Sequence, residues 1–414
     1  VFSVTFVERS AEYFARMTNA AVTQFGGSVE SGWEAVEAAF QRNFELGEEV
    51  GASVAVYHRG RPVVNLWGGS FDGSDRPYDD STLQLVFSTT KGITAIAVAI
   101  CAQRGLIDYG APVAQYWPEF AAKGKAEATV AQLLSHQCGL FSVQGEISLA
   151  EALDWPTITA RLADTEPEWP IGSTHGYHAL TYGWLAGELV RRVDPAHRSI
   201  GQFVAEEIAG PTGTEVYIGL PEELESRVAP ILGSPLAGAG DDVDPAVKAM
   251  IEQFMGPNTR GGRALSLNGA FTVDGAFNRR DVHAAEIPAA NGITNSISLA
   301  RVYAATIAPV DGVQLLDDGV RGVARTTVTP DNEADACLIM PTTFGMGFMT
   351  HGPFTPYAGP GSYGHPGAGG SVAFAQPERE LAFAYVMNLP ASNLANDARA
   401  QHLVDAVTTV IDSL

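Results

Sequence analysis

Apolar positions along this chain follow two periods, and each period keeps to its own region. Trp33, Val36, Ala39, Phe40 and Phe44 recur at helical spacing and predict a helix over 33–46. Ser10 to Gln24 carries the same period. The pattern then changes to short β-rich runs, Ser53 to Tyr57 and Pro62 to Trp67, separated by Arg59-Gly60, which predicts a hairpin. Leu83 to Phe87 is another apolar run, and Gly92 to Gln103 reads as a buried helix ended by Gly105. Helical spacing continues over 130–135, 147–162 with a break at Pro156, 179–192, 199–209 and 295–307. Strand patterns return over 345–350, 371–375 and 381–387, and the turn Gln376 to Glu380 joins the last two. The segment 394–414 closes the chain as an amphipathic helix with Leu403, Val407, Val410, Ile411 and Leu414 on its apolar face. Two stretches rich in Gly, Pro and polar residues, 232–244 and 256–269, read as surface insertions over a cleft.

Strands therefore cluster at both ends, and helices fill the middle. The pattern predicts an α/β (α+β) fold: an antiparallel sheet flanked by helices, plus a mostly helical lobe. One catalytic unit is expected over 1–414. Its sheet lobe comes from about 10–85 and 335–414, and its helical lobe from about 86–334.

Composition narrows the function. The chain has 414 residues, and 47 acidic against 25 basic residues give a net charge of -22. That balance argues against nucleic acid, which needs a basic footprint, and against an anionic membrane surface. The apolar run Ala95 to Ala102 is too short to span a bilayer. Val1 to Phe6 lacks the charged region, long apolar stretch and cleavage site of a secretory leader. Cys101, Cys138 and Cys337 are scattered, with no Cys-x-x-Cys pair. Free thiols in a reducing cytoplasm are the expectation.

The chemistry centres on Ser88-Thr89-Thr90-Lys91. On a helix, positions i and i+3 share a face, so the amine can lie beside the hydroxyl and take its proton. Leu85, Val86, Phe87, Ile93 and Ile96 flank the pair, and burial would lower the lysine pKa enough to make it a base. Tyr177 lies in a Gly-punctuated loop before a helix and is the candidate second proton carrier. Gly364-His365-Pro366-Gly367-Ala368-Gly369-Gly370 precedes a strand, and the Ala368 N–H could join that of Ser88 in an oxyanion hole. Taken alone, His365 reads as a solvent-facing loop histidine, and Tyr177 as a buried structural tyrosine.

The order and spacing of these elements resemble the serine β-lactamase and penicillin-binding-protein superfamily, and within it the family VIII carboxylesterases. Phe87-Ser88-Thr89-Thr90-Lys91-Gly92 resembles the first family motif. Leu133 to Leu140 resembles the loop that follows it, and Gly176-Tyr177-His178 to Trp184 the tyrosine motif. His365-Pro366-Gly367 sits where β-lactamases carry Lys-Thr-Gly. The resemblance implies Ser88 as acyl-accepting nucleophile, and Lys91 and Tyr177 as the proton-transfer pair. It places Ser88 and Ala368 at the oxyanion, and His365 and Gly367 against substrate. It implies no metal or organic cofactor, and a small-molecule ester as the partner.

Departures from the β-lactamase pattern shape the functional expectation. Ala179 stands where those enzymes usually carry Asn, and His365 where they carry a lysine that pairs with the lactam carboxylate. Pro366 has no hydroxyl to donate. These changes favour neutral esters, so the expected function is a serine carboxylesterase for small or short-chain acyl esters. The alternatives are a β-lactamase, a D-amino-acid peptidase or acyltransferase, and a penicillin-binding-like sensor that acylates without turnover. No Gly-x-Ser-x-Gly or His-Glu-x-x-His occurs. His175 and His178 are a weak candidate pair of metal ligands.

Overall fold

Successive side chains of a strand point to opposite faces, and here that rule builds a sheet with one bulky face and one smooth face. The computed structural model describes residues 24–233, 252–253, 255–273, 275–330, 332–391 and 393–414. The helical expectation for 10–24 and most of the 232–244 insertion lie outside these residues. The N-terminal part supplies β1 (Phe25–Val29), β2 (Gly51–His58) and β3 (Arg61–Gly69). Four short strands, β4 (Leu83–Leu85), β5 (Val216–Tyr217), β6 (Val228–Ala229) and β7 (Ile293–Thr294), form a small separate sheet in the order β5-β7-β4-β6. The C-terminal part supplies β8 (Met349–Thr350), β9 (Tyr363–Pro366), β10 (Val372–Gln376) and β11 (Leu381–Met387). These join the first three in an antiparallel sheet of order β1-β3-β2-β11-β10-β9-β8.

On β11, Leu381, Phe383, Tyr385 and Met387 face one core, while Ala382, Ala384 and Val386 face another. β10 divides the same way, with Phe374 opposite Ala373 and Ala375. The bulky face packs against α1 (Glu34–Glu45) and the C-terminal helix, through Val36, Phe40, Leu403 and Val407. The smooth face, lined by alanines, lets helices approach closely. Against it lie α2 (Thr90–Gln103) and the helix Ser296–Ile307, in a core that also takes in α3 (Val130–Leu134) and α4 (Thr181–Val193). We number the last two helices α5 (Ser296–Ile307) and α6 (Ala398–Ser413). Among the described residues, no helix is long and apolar enough to cross a membrane.

Several elements differ from the sequence reading. β1 was not anticipated: Phe25-Gly26-Gly27-Ser28-Val29 has too few apolar residues to signal a strand, yet it pairs along β3. The run 256–269 is not simply a surface insertion. It contains a helix, Arg260–Ser266, capped by the Thr259 hydroxyl accepting from Gly262 N–H at 3.0 Å, with Gly261, Gly262 and Ala264 buried. In 345–350 only Met349–Thr350 is strand, and α6 starts at Ala398 because Asp397 caps it. β9 was read as loop. Gly364 and Pro366 are poor strand formers, but Pro366 closes the strand beyond the last residues that β8 pairs.

One buried ionic cluster ties α6 to the sheet and to the glycine loop that follows β9. Arg399 donates from Nε to Asp397 Oδ1 (3.0 Å), and from Nη2 to Asp397 Oδ2 and Gly369 O (both 2.8 Å). Its Nη1 donates to Leu389 O (2.8 Å) and Glu49 Oε2 (3.3 Å). Glu49 also accepts from the Tyr385 hydroxyl. Removing the guanidinium strands two buried carboxyl groups and frees the Gly369 carbonyl. Arg399→Met is expected to lower the unfolding free energy by about 3–5 kcal/mol, the usual cost of removing one partner of a buried pair, as read by chemical denaturation.

Candidate active site

A strained backbone turn delivers the serine. Val86 N–H donates to Gly292 O (3.0 Å), and the next residue, Phe87, has φ 45°. A bulky side chain rarely adopts that region, and packing must hold it there. The Phe87 ring meets Phe277 edge-on at 5.1 Å, and its carbonyl accepts from Thr90 Oγ1 (2.5 Å), which itself accepts Gly292 N–H (2.8 Å). The chain then makes one 3₁₀ turn, Phe87–Thr89, and continues as α2. Ser88 emerges half-buried at the start of that helix, with Lys91 one turn on and fully buried. Gly92 lets α2 sit against α5: a Cβ there would lie 1.9 Å from the Tyr303 hydroxyl.

Lys91 Nζ lies 3.0 Å from Ser88 Oγ, 2.6 Å from Ala179 O and 3.0 Å from Ala289 O. Carbonyl oxygens only accept. A neutral amine has two N–H donors and one lone pair, so the two carbonyls take both hydrogens and the lone pair faces the serine hydroxyl. An ammonium would point its third N–H at the same oxygen. Burial pushes the Lys91 pKa well below its ordinary 10.5, because the charged form is poorly solvated there. No carboxylate forms an ion pair with Lys91 among the described residues.

Tyr177 is brought over this pair by the loop before α4. Its ring centre is 4.8 Å from Lys91 Nζ. The ring stacks between Phe344 (6.2 Å) and His365 (5.9 Å), with His136 tilted against it at 5.4 Å. Burial raises the phenol above its ordinary 10.0, while the neighbouring Ser88 hydroxyl acts in the opposite direction. His178 cannot share a ligand with His175, since the backbone uses both its ring nitrogens: Nδ1 donates to Gly176 O (2.6 Å), and Nε2 accepts Leu140 N–H (2.9 Å). Its pKa falls to about 4 through burial.

His365 is not a solvent-facing loop histidine. It is the third residue of β9, paired with Ala373, and wholly buried. Nδ1–H donates to Pro366 O (2.7 Å), which leaves the Nε2 lone pair without a partner among the described residues. Burial, then the nearby Lys91, hold the ring well below its ordinary 6.5, so it is neutral. Gly367 crosses directly beside the Ser88 turn: a Cβ there would lie 2.3 Å from Val86 O and 2.2 Å from Ser371 Oγ. Ser371 Oγ fastens the two segments by donating to Val86 O (2.9 Å). Gly367 N–H is already used, donating to Ser371 O (2.6 Å). Ala368, partly exposed, follows it on the same side and packs into the cluster around Phe87.

Ser88, Lys91, Tyr177 and His365 therefore converge, with the Gly367-Ala368 backbone alongside. Sequence reading missed the two lysine-binding carbonyls, the His136 and Phe344 rings, and the contacts that hold the Tyr177 loop. A carbonyl belongs to every residue and leaves no sequence signal. His136 stood within the quoted Leu133 to Leu140 stretch and could have been singled out there.

Comparison with known proteins identifies the family and the fold. A family model described as Beta-lactamase matches residues 36–408, and the chain belongs to that family. It is 36% identical over 371 residues to "Esterase/beta-lactamase LipL" of Mycobacterium tuberculosis, covering 87% of this chain and 82% of that protein. A crystal structure of a family VIII carboxylesterase superimposes with TM-score 0.81 and 34% identity, covering 94% of this chain and 100% of that one. A penicillin-binding protein homologue from Caulobacter crescentus superimposes with TM-score 0.82 and 35% identity, over the same shares.

The geometry predicts how Ser88 responds to pH. A Lys91 base would make Ser88 reactive only while the amine is neutral, so labelling would be lost as pH falls through the lysine value and gained above it. Labelling of Ser88 by a fluorophosphonate is expected to rise with pH around a midpoint well below 10.5, the ordinary lysine value. A midpoint near that value would show a solvated lysine instead.

Proposed function

We propose that this protein is a serine carboxylesterase that hydrolyses small, short-chain acyl esters through an acyl-enzyme on Ser88. The observation that carries the reading is the Lys91 amine, buried and held by two carbonyls, 3.0 Å from Ser88 Oγ. Ser88 Oγ attacks the ester carbonyl as its proton passes to Lys91. The Ser88 and Ala368 N–H groups receive the developing oxyanion. The Tyr177 hydroxyl and the lysine ammonium together return a proton to the departing alkoxide. Water then enters, gives up a proton to the same pair and releases the acid, which restores Ser88.

The site's charge state supports a neutral substrate. A penicillin carries a carboxylate, and at this position in β-lactamases a lysine cation pairs with it. Here the equivalent side chain is His365, buried and neutral. Ala179 offers no side-chain amide, and its carbonyl is occupied by Lys91. Pro366 offers no donor. The names of the relatives point both ways, to esterases and to a penicillin-binding protein homologue. Comparing turnover of p-nitrophenyl acetate with that of a chromogenic cephalosporin separates the two. We expect efficient ester hydrolysis with the cephalosporin slower by orders of magnitude, and the reverse order would reject the ester assignment.

Ser88→Ala is expected to abolish ester hydrolysis and fluorophosphonate labelling while the fold is retained by circular dichroism. Full turnover in that variant would remove Ser88 from the mechanism. Tyr177→Phe is expected to fold normally and lose roughly a hundredfold or more in kcat, the scale of a positioned proton carrier. An unchanged kcat would exclude Tyr177 from proton transfer.

A further inference from the structure

The Tyr177 loop is anchored by a buried carboxylate far from it in the chain, Asp335. Asp335 is completely buried, and no ion pair to it occurs among the described residues. Its Oδ1 accepts three backbone N–H groups: Tyr177 (3.0 Å), Cys337 (2.8 Å) and Leu338 (2.9 Å). Its Oδ2 accepts the Thr342 hydroxyl proton (2.8 Å). Since Thr342 spends its proton there, its oxygen accepts from His175 Nε2–H at 3.0 Å, which fixes that histidine's tautomer. Four donors and no acceptor converge on this group, so it is an anion solvated by hydrogen bonds in place of a cation.

We propose that Asp335 is a positioning residue for Tyr177: its carboxylate fixes the Tyr177 backbone, and its charge opposes a second negative charge on the phenol. Proton abstraction from Ser88 then falls to Lys91, and Tyr177 serves as proton donor. This rests on the acyl-enzyme reading above and decides between the two members of its proton-transfer pair. Groups facing Tyr177 from the other elements do not reverse it. His136 after α3 and His365 on β9 are neutral through burial, and burial drives Lys91 on α2 toward its uncharged form. His178, on the tyrosine's own loop, is also neutral. Tyr182 on α4 is a buried phenol. Glu333, two residues before Asp335, accepts from Thr174 Oγ1 on the tyrosine's loop (2.7 Å), and Arg260 and the Arg263–Glu168 pair (2.7 Å) act on the neighbouring Cys337. The Asp335 charge itself acts to raise the Tyr177 phenol.

A neutral isostere separates charge from scaffolding. Asp335→Asn keeps the Oδ1 acceptor for all three N–H groups and removes the charge. The alkaline limb of kcat/KM for p-nitrophenyl acetate, where Tyr177 loses its proton, is expected to move to lower pH, the direction that follows from losing a nearby like charge. A purely structural role would lower kcat or stability without moving the limb. A limb that stays within the error of the wild-type profile in the folded variant therefore overturns the proposal. Should Asp335→Asn fail to fold, the wild type itself gives the answer through ¹³Cζ-tyrosine NMR, with Tyr177 assigned by its absence in Tyr177→Phe. The Tyr177 phenol should stay protonated past an ordinary tyrosine pKa of about 10, and a phenolate signal below that pH overturns the assignment. If instead the wild type turns over no ester and Ser88 takes no label, the acyl-enzyme reading fails, and that outcome is distinct from an unmoved limb.

Discussion

Two backbone carbonyls on one buried amine are the constraint on which the site depends. Ala179 O and Ala289 O come from different parts of the chain, the Tyr177 loop and the segment before β7, and both end on Lys91 Nζ. They set which way the nitrogen lone pair points, and burial removes the charge that would otherwise occupy it. A lysine in water would be an ammonium with freely rotating donors. Here the same side chain is oriented, driven by burial toward its uncharged form and in contact with a hydroxyl.

The rest of the fold brings those two carbonyls and the serine to one point. The alanine face of the sheet lets α5 approach, and Gly92 lets α2 close on Tyr303. Gly367 lets the loop after β9 touch the Val86 carbonyl, next to the turn that carries Ser88. From the opposite side of that loop, Arg399 holds Gly369 O. Each of these is a close approach that one methyl or one lost donor would open. The strain at Phe87 is borne by the same packing.

How much of this could be read from the sequence depends on distance along the chain. Ser88 and Lys91 are one helical turn apart, so their proximity follows from local geometry alone. β2, β10 and β11 are legible as short β-rich runs between turn signals. Taken alone, His365 reads as a solvent-facing loop residue because Gly-His-Pro-Gly looks like a loop, and only pairing with β10 turns it into a buried strand. Asp335 was invisible for a similar reason. It stands in Glu333-Ala334-Asp335-Ala336-Cys337, which carries no period, and its value comes from a partner 158 positions away. Contacts of that kind are properties of the folded chain.

The central claim is that the Lys91 amine is uncharged at working pH. The chain has four lysines, Lys91, Lys123, Lys125 and Lys248, so ¹⁵Nζ-lysine NMR with Lys91→Met as the assignment control can follow this one nitrogen directly. The account predicts a neutral-amine resonance for Lys91 at pH 7 that becomes an ammonium only on acidification. An ammonium signal persisting at pH 7 and titrating near 10.5, the ordinary lysine value, would contradict it.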